Sequence, residues 1–226
     1  MLPGVRGLYA IADVDFLSQR QIEPLAFVEA VLSARPAALQ LRAKSLGPRD
    51  TLSLLRAVQA LGAAQNVPIF ANDRPDLALL AGCHGVHLGQ NDLGAADAKR
   101  LAPQLAVGLS THRIEELDLA LLERPAYIAF GPVFATSSKL DTEPVVGLIA
   151  LAEAARRCRA ARVPLVAIGG LSLDRAVQVA HSADAGAVIS ALLPALGLPG
   201  VARAAALLHQ ALGGGSHSAI AGAGER

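Results

Sequence analysis

Several short segments of this chain carry polar residues where buried apolar strands would not choose them. In ALQLRAK, Gln40, Arg42 and Lys44 recur at intervals of two. In an extended strand that spacing turns all three to one face, while Leu39 and Leu41 take the other. Two cations on an inward face are costly unless carboxylates or an anion meet them. The pattern fits a solvated strand end with ion pairs. It equally fits an anion clamp, with the Arg42 guanidinium gripping phosphate in fork geometry and Lys44 adding a point charge.

PIFANDRP and GVHLGQND end in Asn72-Asp73 and in Asp92. Asp73 before Pro75 has the spacing of a helix cap. Placed together on neighbouring strand ends, Asp73 and Asp92 suit Mg²⁺, which uses one or two carboxylates, waters and substrate phosphate oxygens. GLSTH supplies Ser110, Thr111 and His112. A lone histidine is more often packed or capping than catalytic. His87, which shares a strand face with few polar groups, has the same reading. His84, His181, His209 and His217 offer only surface or helix positions, and no Cys/His cluster has zinc-ligand spacing.

Thr136, Ser137 and Ser138 precede Lys139 in FGPVFATSSK. Such a run is a mobile loop, or one that folds over a ligand as a second phosphate contact. In PLVAIGG, Gly169 and Gly170 stand before the helical segment LSLDRA, where backbone N–H groups can approach a phosphate. AVISA brings Ile189 and Ser190 beside that turn. The alternative is a tight left-handed turn without a ligand.

The elements that must position these residues follow one rhythm. Apolar runs at Gly7–Ala12, Ala38–Arg42, Pro68–Asn72, Gly85–Leu88, Ala106–Leu109, Tyr127–Phe130, Leu165–Ile168 and Ala187–Ile189 predict strands. Helical patterns lie between and after them, at Pro24–Ala34, Pro48–Gln65, Pro75–Ala81, Ala95–Leu101, Ile114–Leu122, Leu148–Ala161, Leu173–Ala180 and Val201–Leu212. This α/β alternation, with no second composition regime, predicts a single (β/α)8 TIM barrel over 1–212, with an open doubly wound sheet as its rival. The Gly-rich segment 213–226 has too few apolar anchors for a core and is expected to be a mobile tail. In such barrels chemistry gathers where strands end and βα loops begin. The Arg42/Lys44/Asp73/Asp92 group and the Gly169–Gly170 turn then form two anion sites at one mouth, which suits a reaction joining two phosphorylated molecules.

Composition bounds the partners. Of 226 residues 53% are hydrophobic and 3% aromatic, so the core is expected to consist of Ala, Val, Leu and Ile. A net charge of +1 gives no general attraction to nucleic acid or an anionic membrane. Cys83 and Cys158 lack metal-ligand spacing and fit free thiols in a reducing compartment, or one bridge. The N-terminal segment has no secretory pattern, and the apolar stretch 190–212 is broken by Pro194, Pro199 and Arg203. Cytoplasm is the expected location, small molecules are the expected partners, and a homo-oligomer is allowed.

In order, LYAIAD, ALQLRAK, NDRPDLAL, GVHLGQNDL, GLSTH, FGPVFATSSK, AIGG and AVISA resemble the thiamine-phosphate synthase family across Gly7 to Ser190. The resemblance implies a (β/α)8 barrel that couples 4-amino-2-methyl-5-hydroxymethylpyrimidine diphosphate to 4-methyl-5-(2-phosphooxyethyl)thiazole and releases pyrophosphate. It implies that Gln40, Leu41, Arg42, Ala43, Lys44 and Asn72 bind the pyrimidine diphosphate, with Mg²⁺ on Asp73 and Asp92. Ser110 would lie near the reacting pyrimidine and Lys139 would bind the leaving pyrophosphate. Thr136, Ser137, Ser138, Gly170, Ile189 and Ser190 would contact the thiazole phosphate, beside Gly169. Departures from the pattern are Ala12 for a common Thr, His84 where Asp is frequent, and Ala185-Gly186-Ala187 near the last strand. Related thiazole tautomerases of the TenI type share the barrel but rely on an acid/base residue, a role open to His112. A non-catalytic barrel that senses a phosphorylated metabolite is a third reading, which retention of both Asp73 and Asp92 opposes.

Overall fold

Parallel pairing runs unbroken from the first strand to the last and back to the first in the computed structural model, which describes residues 5–136 and 143–215. The strands are β1 (Gly7–Asp13), β2 (Ala38–Arg42), β3 (Ile69–Asn72), β4 (Gly85–Leu88), β5 (Ala106–Thr111), β6 (Tyr127–Phe130), β7 (Leu165–Ile168) and β8 (Ala185–Val188). Between and after them lie α1 (Val14–Ser18), α2 (Pro24–Leu32), α3 (Pro48–Gln65), α4 (Pro75–Ala81), α5 (Ala95–Leu101), α6 (Ile114–Leu122), α7 (Gly147–Ala161), α8 (Leu173–Val179) and α9 (Leu198–Ala211). The closed order β1 to β8 is the expected (β/α)8 barrel and excludes the open sheet.

Alternation along the strands divides the interior in two. Outward positions such as Leu8, Ala10, Leu39, Leu41, Ile69, Val86 and Val107 join the helices in one apolar layer. Inward positions such as Tyr9, Ile11, Phe70, Tyr127, Ala129, Val166 and Ala187 fill the lumen. The outer layer is mostly aliphatic, as expected, with Phe27 and Phe130 buried among the Ala, Val, Leu and Ile side chains. The lumen does not, because the rings of Tyr9, Phe70 and Tyr127 occupy it, with centroids 5.4–5.9 Å apart. Glycines on neighbouring strands make the room. A Cβ on Gly85 would lie 2.3 Å from the Phe70 ring, and one on Gly108 would lie 2.1 Å from Tyr127 Cζ.

Some boundaries differ from expectation. β1 and β5 run on to Asp13 and Thr111, which are buried. β8 begins at Ala185, because Ala185, Gly186 and Ala187 pair in register with Val166, Ala167 and Ile168. Ile189 falls just beyond it, ahead of a 3-10 turn at Ser190–Leu192. The short helix α1 was not expected; Asp13 starts it by accepting from Phe16 N at 3.1 Å. His209 lies on a helix as expected, but it is buried there on α9 and accepts from Leu8 N at 3.2 Å. At the start of the expected tail, Gly213 N and Gly214 N still donate to the carbonyls of Gln210 and His209. Residues 216–226 lie outside the described part. Cys83 and Cys158 are buried free thiols, and burial pushes them up to about 11 and about 12. Among the described residues no helix is long and apolar enough to cross a membrane.

Candidate active site

The strand ends open onto two adjoining cavities of about 780 and about 300 Å³. Lys44, Asp92, Ser110, His112, Ile189 and Ser190 line both. Gln40, Arg42, Asn72 and Asp73 line only the larger; Thr136, Gly169 and Gly170 line only the smaller. The two anion sites expected from sequence are therefore neighbours across a shared wall. Leu41 and Ala43 are the exceptions: strand alternation sends Leu41 into the outer layer, and Ala43 packs against the same layer. Neither lines a cavity. Ser137, Ser138 and Lys139 lie outside the described residues.

Each cation of the β2 end meets a carboxylate. Arg42 Nη1 donates to Asp13 Oδ2 at 2.7 Å and lies 4.0 Å from Asp15 Oδ2. Asp13 is 2% exposed and pairs with Arg42 in the β1–β2 register. Ser45 Oγ donates to Asp15, which ties the loop after β2 to α1. Lys44 Nζ stands 3.1 Å from Asp73 Oδ2. The ion-pair reading of the strand end thus holds in full, and both cations still face the larger cavity.

Asp73 does not cap α4, whose N-cap is Arg74 without a side-chain bond. Its backbone instead takes φ of +63°, a left-handed conformation that Asp tolerates better than most residues. That bend sets the carboxylate beside Asp92. Burial, and then the Asp92 carboxylate, raise the pKa of Asp73, against the opposing pull of Lys44. Asp92 is held from below, where Oδ2 accepts from Gly89 N at 2.7 Å. Two half-buried carboxylates set side by side, with Asp73 favouring protonation when no cation is there, are a donor set suited to a divalent cation. No third His, Cys, Asp or Glu completes a cage among the described residues. The pair therefore matches a hard cation that keeps waters and substrate oxygens, and the residues fit Mg²⁺.

At the smaller cavity, Gly169 and Gly170 have φ of +100° and +65°. A Cβ on Gly169 would lie 2.4 Å from Pro132 Cβ, and one on Gly170 would lie 2.5 Å from the Ala135 carbonyl. The turn is thus pressed against the loop after β6, and only glycine fits there. Arg175 Nη1 donates to the Gly170 carbonyl at 2.8 Å, and its guanidinium lies 4.9 Å from the Phe134 ring centroid.

Comparison with known proteins identifies the family and the fold. The family model described as thiamine monophosphate synthase matches residues 8–192. The chain belongs to the thiamine monophosphate synthase family. Within it, the chain is 42% identical over 175 residues to a thiamine-phosphate synthase of Anaeromyxobacter dehalogenans, covering 76% of this chain and 77% of that one. It is 40% identical over 190 residues to the Koribacter versatilis thiamine-phosphate synthase, covering 82% and 88%. The solved thiamine phosphate pyrophosphorylase of Pyrococcus furiosus superposes with a TM-score of 0.81 at 30% identity, over 94% of this chain and 98% of that one.

Inside the family frame, the Ala185-Gly186-Ala187 departure leaves β8 in regular register. On its outer side Gly186 packs close to Leu212, whose side chain would have to shift for an added Cβ 2.6 Å from its Cδ2. Reading the sequence missed three members of the site. Tyr9 and Tyr127 pass as ordinary strand residues, yet their hydroxyls are 2.7 Å apart and line the larger cavity. His87 is no isolated histidine: its ring nitrogens stand 2.8 Å from Tyr127 Oη and 2.8 Å from Ser110 Oγ. The usable signal was period two along GVHL and AYIAF, which turns His87 and Tyr127 inward. His112 lines both cavities and is anchored through Nδ1 to the Gly131 carbonyl at 2.6 Å.

Proposed function

We propose that this chain is a Mg²⁺-dependent transferase that joins 4-amino-2-methyl-5-hydroxymethylpyrimidine diphosphate to 4-methyl-5-(2-phosphooxyethyl)thiazole, giving thiamine phosphate and pyrophosphate. The observation that carries the reading is the Asp73–Asp92 pair beside Arg42 and Lys44, in a cavity adjoining the Gly169–Gly170 turn. One mouth thereby offers a metal-diphosphate site and a separate monophosphate site. The names of the relatives point to the same reaction. A tautomerase has no use for the paired carboxylates.

In this reading Asp73 and Asp92 hold Mg²⁺, which when bound neutralises diphosphate charge and makes pyrophosphate a better leaving group. Arg42, braced by Asp13, and Lys44 stabilise the negative charge that grows on the departing diphosphate. Gln40, Asn72 and Ser110 orient the pyrimidine, whose electron-rich ring carries the benzyl-like cation left behind. Gly169, Gly170, Thr136, Ile189 and Ser190 hold the thiazole phosphate so that the ring nitrogen faces that cation. By the family resemblance Ser137 and Ser138 assist there and Lys139 grips the pyrophosphate. The bond from the pyrimidine methylene to oxygen breaks first, its electron pair leaving with the pyrophosphate, and the thiazole nitrogen then attacks the cation to form the new C–N bond. No protein nucleophile takes part, so catalysis rests on positioning and charge.

We take the enzyme to be cytoplasmic, in accord with its two buried free thiols. The test is to incubate the protein with both substrates and Mg²⁺ and to measure thiamine phosphate and pyrophosphate. Equal amounts of the two products are expected. No product with both substrates present would overturn the assignment.

A further inference from the structure

Beneath the larger cavity a file of hydrogen bonds crosses the lumen. Gln40 Nε2 donates to Tyr9 Oη at 3.2 Å, and Tyr9 Oη stands 2.7 Å from Tyr127 Oη. Tyr127 Oη is 2.8 Å from His87 Nδ1, and His87 Nε2 is 2.8 Å from Ser110 Oγ. Tyr9, Gln40, His87 and Tyr127 are buried at the floor of the larger cavity, and Ser110 lines both cavities. The direction of this file follows from counting hydrogens. Burial raises the pKa of both phenols, so each stays neutral and owns one hydrogen.

Tyr9 Oη already receives the Gln40 amide. Suppose it gives its own hydrogen to Tyr127. Tyr127 then gives its hydrogen to Nδ1 of a neutral His87, and Nε2–H gives to Ser110 Oγ. Every donor in the file meets an acceptor. In the reverse sense, with Gln40 Nε2 turned to Tyr9 as it stands, Tyr9 Oη would receive two hydrogens and its own would have no acceptor among the described residues, an arrangement folded proteins avoid. Among the described residues His87 is the one hydrogen-bond partner of Ser110 Oγ.

We infer that Tyr9, Tyr127 and His87 are positioning residues that fix Ser110 as a one-way hydrogen-bond donor into the cavity. With Oγ accepting from the imidazole N–H, the seryl hydrogen has no acceptor among the described residues and is turned to whatever the cavity holds. The group it selects is an unprotonated ring nitrogen of the bound aminopyrimidine. The choice of ligand rests on the pyrimidine reading of the larger cavity; the direction of the file does not. Two further features hold the geometry. Gly108 leaves the volume that the Tyr127 ring fills, and the His87 and Tyr127 rings lie within 14° of parallel at 5.7 Å.

The direct test is the ring ¹⁵N NMR spectrum of the histidine-labelled native protein, with His87 assigned by its loss in His87→Gln. The file requires hydrogen on Nε2 and a bare Nδ1. Hydrogen on Nδ1 overturns the inference whether or not the protein makes thiamine phosphate. The kinetic test compares Tyr127→Phe, Ser110→Ala and the double variant. Each single change should raise KM for the pyrimidine diphosphate about tenfold, the scale of one lost directed hydrogen bond, and leave KM for the thiazole phosphate within about twofold. The double variant should match the Ser110→Ala single, because both remove the same donor. Multiplying effects, or equal changes in both KM values, would make Tyr127 a merely structural residue. If Tyr127→Phe fails to fold, the native tautomer alone decides.

Discussion

Asp13 and Arg42 stand opposite each other on β1 and β2, and the buried carboxylate of one holds Nη1 of the other at 2.7 Å. The same carboxylate begins α1 through Phe16 N. Asp13 is therefore the strut that keeps the guanidinium pointing up to the mouth rather than collapsed onto the barrel wall. Asp13→Asn keeps a cap acceptor but removes the charge. It should destabilise the fold by about 2 kcal/mol, the size of a charge-assisted hydrogen bond, in urea denaturation. It should also raise KM for the pyrimidine diphosphate about tenfold through a slack Arg42. An unchanged KM would show that Arg42 finds its place without the strut.

The Asp73–Asp92 pair makes a prediction whose sign depends on pH. The fold raises the pKa of Asp73, so it favours the protonated form. That contribution is complete below the unfolded carboxylate value of roughly 3.9 and is lost as pH rises through the raised folded value. Above that value, without metal, the Asp73 carboxylate is ionised against Asp92 and the site carries the cost. Asp73→Asn should therefore raise Tm in EDTA at pH 7 by roughly 2–4 °C, the shift that about 1 kcal/mol produces in a chain of this size. The gain should shrink towards pH 4. Added Mg²⁺ should stabilise the native protein more than the variant, while coupling activity of the variant falls at least about 100-fold. Thermal melts over pH with and without Mg²⁺ measure every part of this.

How much of this was legible in the sequence depends on the range of the interaction involved. Strand and helix periods are local, so the eightfold order and most element limits could be read directly. Asp73 and Asp92 were legible because both lie in the loops that follow strands neighbouring in sequence order, Asp73 directly after β3 and Asp92 four residues beyond β4. Asp13 was not, since its partner is 29 residues away and its motif LYAIAD reads as plain strand. The Tyr9–Tyr127 contact spans 118 residues and closes only when the barrel does. His87 was misjudged for the same reason: its partners sit on β5 and β6, and a file of single polar residues on separate strands has no local signature. Low aromatic content concealed the lumen too, since so few rings suffice to fill it.

Gly108 is the residue whose absence of a side chain the Tyr127 ring exploits. A Cβ there would lie 2.1 Å from Cζ and 2.5 Å from Oη, distances that ordinary side-chain give cannot absorb. Gly108→Ala should cost about 1–3 kcal/mol by overpacking, measured by chemical denaturation. Because Tyr127 must shift to make room, the variant should also weaken pyrimidine diphosphate binding. Gly94→Ala, where an added Cβ meets nothing within 4 Å, is the control and should leave binding unchanged.

Gly170 tests the division of the mouth into two sites. Its φ of +65° is strained for any residue with a Cβ, and that Cβ would lie 2.5 Å from the Ala135 carbonyl and 2.9 Å from that of Phe134. Gly170→Ala must therefore push the turn after β7 away from the loop after β6, on the side where the smaller cavity lies. The larger cavity does not include Gly170; β6 to β8 line it with Tyr127, Ala129, Val166, Ile168 and Ala187, but its charged groups come from β1 to β4 and the loops after them, Asp13, Arg42, Asp73 and Asp92 among them. The change should thus raise KM for the thiazole phosphate about tenfold or more and that for the pyrimidine diphosphate less than about twofold, since a displaced cradle loses its directed contacts while an undisturbed one does not. Steady-state kinetics with each substrate varied in turn separates the two. Equal losses would mean that the two phosphates share one site rather than facing each other across the wall formed by Lys44, Asp92, Ser110 and His112.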